Sequence, residues 1–372
     1  MLLIGQLEYA TTLKYNFPNP PTVSTLKELQ IPQRFIKLSL ASMQSAKGRY
    51  LQIQSENLPT PIIAGDHSEI EEPIPMNISS VSARLMPLKP LQDETPIIAV
   101  DVSSVRLGET DVGILCAVRG AIVWSVQRRY GYLRIGPFPF HITEENSREV
   151  MSLLRFYRFF PSGLGSPRLE DMQVRLCNLV ERWLQMSICS SSYGSIILWD
   201  GSLTAGTTDS PLTLIRRILE EAKNRLNTVL AFSKVTGIRV LGRRMTDLVL
   251  KYPPPCLFKM DELPHSTSGS LRLLGNVYIA KLAWGLSAFR LDIDRRVREE
   301  EGLKALRRLL GNDILYQGYP ETLRLAHILS TFTASEVIGI QRFVAQRYNL
   351  RIVVRPSVRR TLFGPFGTRF EN

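Results

Sequence analysis

Two short apolar runs, each closed by an aspartate, constrain this chain more than any other feature. Ile97-Ile98-Ala99-Val100-Asp101 and Ser195-Ile196-Ile197-Leu198-Trp199-Asp200 place their acids 99 positions apart. Neither run alternates between apolar and polar residues. A strand without alternation is covered on both faces, which makes it a central strand of a layered α/β sheet. The β-rich runs 113–119 and 121–127 meet at Gly120, a spacing that predicts a hairpin. A helix is predicted over 170–186, with Met172, Leu176, Leu179, Val180, Trp183 and Leu184 at helical spacing. Ser210-Pro211 opens a second helix, serine as N-cap and proline at the first helical position. Residues 229–233 form the next strand. Strand, hairpin, helix, strand, helix, strand is the order of an RNase H-like α/β core, a mixed five-stranded sheet flanked by helices.

Three segments follow from composition. Residues 1–95 form an N-terminal extension with helices expected near 23–30 and 33–45, then an irregular stretch holding Pro59, Pro61, Pro73, Pro75, Pro87 and Pro90. Residues 96–335 hold the core. Residues 336–372 are a C-terminal helix and tail, the helix begun by a capping box of Thr333 and Glu336.

The chemistry lies in the carboxylates. If the two central strands are adjacent and parallel, Asp101 and Asp200 emerge at one edge, about 4.8 Å apart. Two ionised carboxylates that close repel, unless a cation shares the site. Mg²⁺ and Mn²⁺ are hard, oxygen-seeking ions, and a pair of them suits phosphodiester hydrolysis. A third acid is expected from the helix before Asp200. Glu170 and Glu181 share one helix face, at heights about 16 Å apart. The strand returns about 17 Å along that helix, so Glu181 matches the height of Asp200 while Glu170 overshoots. Taken singly, either aspartate also reads as a common strand-end or turn residue.

The net charge of +12 favours a polyanionic partner. Part of the excess is paired arginine, as in Arg243-Arg244 and Arg295-Arg296, suited to phosphate by its planar fork. A generally basic surface would give the same balance. No apolar run approaches the ~18 residues of a membrane-spanning helix, and the opening Met1-Leu2-Leu3-Ile4 is too short for a secretory signal. A cytoplasmic protein without a membrane partner is expected. Cys116, Cys177, Cys189 and Cys256 lack zinc-ligand spacing and read as small buried hydrophobes.

In this order the residues resemble the NurA nucleases, partners of the HerA-type hexameric DNA translocase. Ile98-Ala99-Val100-Asp101-Val102-Ser103 is similar to the family's first strand, with Val102 where a glycine is usual. Leu198-Trp199-Asp200-Gly201-Ser202-Leu203 matches its second acidic motif. Ala231-Phe232-Ser233-Lys234, the runs 277–282 and 289–292, and Gly318-Tyr319-Pro320 with Ala326-His327 follow in family order. The likeness spans about residues 96–335 and implies a manganese- or magnesium-dependent deoxyribonuclease, exonuclease and endonuclease, holding two ions. It also implies a homodimer that works on linear single- or double-stranded DNA ends with the translocase, in end resection and break repair.

On that basis Asp101, Glu181, Asp200 and His327 are expected metal ligands, with His327 alternatively a proton-transfer group. Tyr319 is expected to bind phosphate or orient the site, or merely to pack at a helix start. Lys234 reads as a phosphate contact or a solvated lysine, and Arg243 and Arg244 as a patch tracking the DNA backbone. Two other functions fit the same residues: a catalytically silent DNA-binding or scaffolding subunit, and an RNase H-like enzyme acting on RNA or junctions.

Overall fold

The computed structural model describes residues 32–54, 62–63, 73–74, 84–156, 168–207, 210–234, 236, 238–240, 243–260, 271–355 and 362. The helix expected near 23–30 and most of the Pro-rich stretch lie outside these residues. One twelve-stranded mixed sheet organises the chain. Its strands are β1 (Tyr50–Gln54), β2 (Ile62–Ile63), β3 (Leu85–Pro87), β4 (Ile97–Glu109), β5 (Gly113–Val126) and β6 (Arg129–Thr143). They continue as β7 (Ile196–Asp200), β8 (Thr228–Ser233), β9 (Cys256–Lys259), β10 (Gly275–Lys281), β11 (Phe289–Asp294) and β12 (Arg351–Arg355). The helices are α1 (Gln33–Gln44), α2 (Ser147–Phe156), α3 (Leu169–Ser191), α4 (Leu212–Asn224), α5 (Met245–Val249), α6 (Glu299–Asn312), α7 (Glu321–Ser330) and α8 (Ala334–Tyr348).

The five core strands run in the order β6-β5-β4-β7-β8, with β4, β7 and β8 parallel and β5 antiparallel between β4 and β6. This is the RNase H-like arrangement. The sheet continues past β8 through antiparallel β11, β10, β9 and β3. At the opposite margin β12 pairs with β1, which touches the end of β4. Strands from 50–54, 85–87 and 351–355 therefore belong to the same sheet as the core.

Both faces of the centre are covered, as the unbroken apolar runs require. Ile98, Val100 and Val102 of β4 pack with Ile197 and Trp199 of β7 against α1–α4, through Phe35, Leu154, Val180, Leu184 and Ile218. The alternate residues Ile97, Ala99, Ile196, Leu198 and Phe232 pack against α6 and α7, through Leu306, Leu309, Leu323 and Ala326. Among the described residues no helix is long and apolar enough to cross a membrane.

Local readings need three corrections. Gly120 is not a turn: β5 runs through it with a register shift, and the hairpin closes at Gln127 and Arg128, with φ of 51° and 61°. Neither residue type announces a left-handed turn, so the signal was absent from the sequence. Gly120 answers instead to packing, since a Cβ there would lie 2.6 Å from Leu184 Cδ1 of α3. Asp101 does not end its strand, because β4 continues to Glu109; what ends beside it is the pairing with β7 at Val100. The N-cap of α4 is Pro211, while Ser210 Oγ accepts a hydrogen bond from Arg182 Nη2 at 2.9 Å.

The expected capping box at α8 is present: Thr333 Oγ1 accepts from Glu336 N–H, and Glu336 accepts from Thr333 N–H. Glu336 also accepts from Arg119 at 2.9 Å and Arg134 at 2.6 Å. Burial alone would raise its pKa, but the Thr333 N–H and the two guanidinium groups outweigh that and hold it at about 2. Such a depressed carboxylate stabilises the fold above its unfolded value and loses that contribution as pH falls toward 2. Glu336→Gln is expected to lower unfolding free energy by about 1–2 kcal/mol at pH 7, a difference that shrinks below pH 4.5 in denaturant titrations. Gly120→Ala should cost about 1–3 kcal/mol by overpacking against Leu184, read as a lower melting temperature.

Candidate metal centre

Register brings the two aspartates together. Val100 pairs with Trp199 in the parallel ladder between β4 and β7, so Asp101 and Asp200 are the next residues on adjacent strands. On the same edge of β4, pairing with β2 resumes only at Ser103. At Asp101 and Val102 that edge carries no strand among the described residues, and the side chains gather there. Val102, where the resembling family has glycine, is fully buried in the α1–α4 layer in continuous strand, so no special turn is needed.

The α7 helix supplies the imidazole. It starts after Pro320 as N-cap with Glu321 in its first turn, and its Leu323 and Ala326 face the sheet. Both ends are pinned. Asp313, buried, accepts from Thr322 N–H at 3.2 Å and from Tyr130 Oη at 2.6 Å. Burial pushes Asp313 up to about 6 in spite of those donors. At the far end Ser103 Oγ donates to the Ser330 carbonyl at 2.6 Å.

Held this way, His327 Nδ1 lies 3.2 Å from Asp101 Oδ2 and 3.7 Å from Asp200 Oδ2. One atom from each of Asp101, Asp200 and His327 falls within 4.8 Å of the others, a spacing compatible with a shared metal ion. Ser330 Oγ, one turn beyond His327, donates to Asp101 Oδ2 at 2.7 Å. Lys234, just after β8, places Nζ 2.6 Å from Asp200 Oδ2 and 3.4 Å from His327 Nδ1. Tyr319 Oη is 3.4 Å from Asp200 Oδ1, and its ring packs on Phe289 and Phe232.

Glu181 comes from α3, on the other side of the sheet, and is fully buried. Gln185 donates to its Oε1 at 3.1 Å, while Arg182 is 3.9 Å from Oε2, beyond hydrogen-bond range. Burial drives its pKa up to about 7; Arg182 opposes this, and the charges of Asp101 and Asp200 add to it. Asp200 is raised as well, by burial first and then by Asp101, with Lys234 and His327 pulling the other way.

A cation fits this donor set. Asp101 Oδ1 and Glu181 Oε2 are buried without a hydrogen-bond partner, and buried acceptors in that state are costly. Oxygen donors with one imidazole suit Mg²⁺ or Mn²⁺, and no thiolate is present to favour a softer ion. The four cysteines are buried thiols that form no disulfide.

Asp101, Asp200, His327, Lys234 and Tyr319 thus converge, and Glu181 lies near enough to feel both aspartates. Glu170 opens α3, but its side chain lies outside the described residues. Arg243 and Arg244 do not join the group. They are exposed on a two-residue strand paired with Arg239 and Val240, before α5. Sequence reasoning missed Ser330 and Gln185. The signal was helical spacing, since Ser330 is three residues beyond His327 and Gln185 four beyond Glu181.

No protein-family model and no curated protein matches this chain. Among solved structures it is similar to a NurA crystal structure at 11% identity, covering 68% of this chain and 87% of that one, with a TM-score of 0.38. It is also similar to endonuclease V of Bacillus subtilis at 10% identity, covering 73% and 91%, with a TM-score of 0.32. Endonuclease V of Ciona intestinalis, solved with a 24mer DNA containing an inosine followed by a ribo-adenosine, is 12% identical over 70% and 95%, TM-score 0.33. With likenesses this distant, the chemistry of this chain rests on its own side chains.

If the cluster takes a divalent ion, Mn²⁺ at about 100 times its dissociation constant should add about 2.7 kcal/mol of stability. A rise in melting temperature with Mn²⁺ or Mg²⁺ is expected for the native chain. It should be absent in Asp101→Asn and Asp200→Asn, whose ligand charge is removed.

Proposed function

We propose that this protein is a divalent-metal-dependent nuclease that hydrolyses phosphodiester bonds in DNA. The observation that carries the reading is the meeting of Asp101, Asp200 and His327 within 4.8 Å, beside buried Glu181 and two unpartnered carboxylate oxygens. Asp101, Asp200, Glu181 and His327 would hold the ions. When bound, they would lower the pKa of a water and stabilise the leaving oxygen. Ser330 fixes one oxygen of Asp101, Gln185 fixes one of Glu181, and Tyr319 orients Asp200. His327, part-exposed, is placed to carry a proton between the cleft and solvent. Lys234, also part-exposed, is placed to meet a phosphate as a point charge.

DNA as substrate is supported by the net charge of +12. Arg243 and Arg244, both exposed, would contact the DNA backbone. Two ions, homodimerisation, action on DNA ends, and work with a HerA-type translocase in end resection come from the sequence resemblance to the NurA nucleases. The silent-subunit reading has one observation in its favour, the ammonium of Lys234 seated between Asp200 and His327. It partly satisfies the cluster without a metal.

The deciding experiment is cleavage of end-labelled linear DNA in EDTA, Mg²⁺ or Mn²⁺ by the native chain and by Asp200→Ala. Metal-dependent degradation is expected, falling by more than about 100-fold in the variant, while DNA binding persists. A folded native chain that binds DNA and cleaves none with any ion, with or without an added hexameric translocase, would establish the silent-subunit reading instead.

A further inference from the structure

The turn joining β10 to β11 displays the two most exposed large hydrophobic side chains among the described residues, Leu286 at 92% and Trp284 at 77%. Both belong to water in the isolated chain, an unfavourable place for so much apolar surface. One side of the indole is backed by Lys281, whose Nζ lies 5.6 Å from the ring centroid. That ammonium is itself held by the carbonyls of Leu250 and Tyr252. At this exposure the other face of the ring is open.

The position of the turn suggests what covers it. Its base rests on the metal cluster's own support: Phe289, which begins β11, packs on Tyr319 with ring centroids 5.2 Å apart. A Cβ on Gly318 would lie 3.5 Å from the backbone nitrogen of Ala283, the residue before Trp284. Tyr319 in turn reaches Asp200. The neighbouring turn, between Leu315–Tyr316 and Tyr319–Pro320, raises a second aromatic, Tyr316. It is 55% exposed, with the Arg324 guanidinium 4.7 Å from its ring. Two open aromatic faces therefore stand on the two turns that meet at Tyr319.

We propose that Trp284, assisted by Tyr316, is a stacking platform for an unpaired nucleobase of the DNA strand whose phosphate lies at the Asp101–Asp200 cluster. The inference rests on the nuclease reading and deepens it by naming the substrate form. Every nucleobase has a π face that an indole can cover, regardless of sequence. Bases inside a duplex already stack on their neighbours, so a free face is offered only by single strands, frayed ends and extruded nucleotides. The platform makes single-stranded segments and open ends the preferred substrate.

The test is equilibrium binding of a fluorescently labelled oligothymidylate, and of a closed-hairpin duplex, in EDTA so that no cleavage intervenes. Native chain, Trp284→Ala, Trp284→Phe and Tyr316→Ala are compared. Trp284→Ala is expected to weaken single-strand binding about 5- to 100-fold and duplex binding much less, with Trp284→Phe recovering most of the loss. Hydrolysis of a small phosphodiester such as bis-p-nitrophenyl phosphate should be unchanged, as should the melting temperature. Single-strand affinity within twofold of native in Trp284→Ala would overturn the proposal, as would failure of the native chain to bind the oligonucleotide. So would a change of oligomeric state in Trp284→Ala with DNA affinity intact, which would assign the patch to a second copy. Because binding is read without metal, absence of cleavage would count against the nuclease reading alone.

Discussion

Two carboxylates held on adjacent residues of neighbouring strands, in surroundings poor in water, repel each other strongly, and much of the neighbouring structure manages that repulsion. Asp101 cannot move away, because it lies mid-strand between two hydrophobic layers. Asp200 cannot either, because its strand is paired on both sides. The remedies present in the chain are partial. Ser330 satisfies one oxygen of Asp101, Lys234 sets one positive charge against Asp200, and Tyr319 contributes a long hydrogen bond. With Glu181 also buried nearby, negative groups outnumber the positive charges that touch them. A compact divalent charge would resolve the imbalance better than any side chain here.

The scaffold holds that cluster in place by pinning the helix that carries His327 at both ends. Asp313 and Tyr130 fix the start of α7, and Ser103 fixes its last carbonyl. Ser103 is two residues beyond Asp101 on the same strand, so the strand that carries the first acid also sets the depth of the imidazole. Glu336 extends the bracing, joining the start of α8 to Arg119 and Arg134 on β5 and β6. At Gly120 the missing Cβ leaves room for Leu184 of α3, three residues beyond Glu181.

The strand additions on either side of the core change what surrounds the site. On one side β12, β1 and β2 continue the edge of β4 beyond Asp101, leaving a gap of two residues, Asp101 and Val102, between β7 and β2. On the other, β11 and β10 carry their connecting turn back to Tyr319, the residue that reaches Asp200. The large sheet, the short 315–320 hairpin and α7 thus surround the acids together.

Much of this was legible in the residues because it follows from local periodicity. Unbroken apolar runs announced buried central strands, helical spacing announced α3 and α4, and Thr333 with Glu336 announced the start of α8. Height along the α3 helix favoured Glu181 over Glu170, and Glu181 is buried near both aspartates, while the side chain of Glu170 lies outside the described residues. What stayed hidden was set by partners distant in sequence. The hairpin at Gln127 and Arg128 uses left-handed conformations that neither residue type advertises, and Gly120 mimicked the turn that lay seven residues on. Arg243 and Arg244 read as a basic patch without a position, because charge has no address in a sequence. By itself, then, the sequence determined which residue types were available and which strands must be buried. Only the tertiary structure decided which of the acids, cations and aromatics share one space, because register between strands and the docking of α7 depend on contacts made across more than 200 residues.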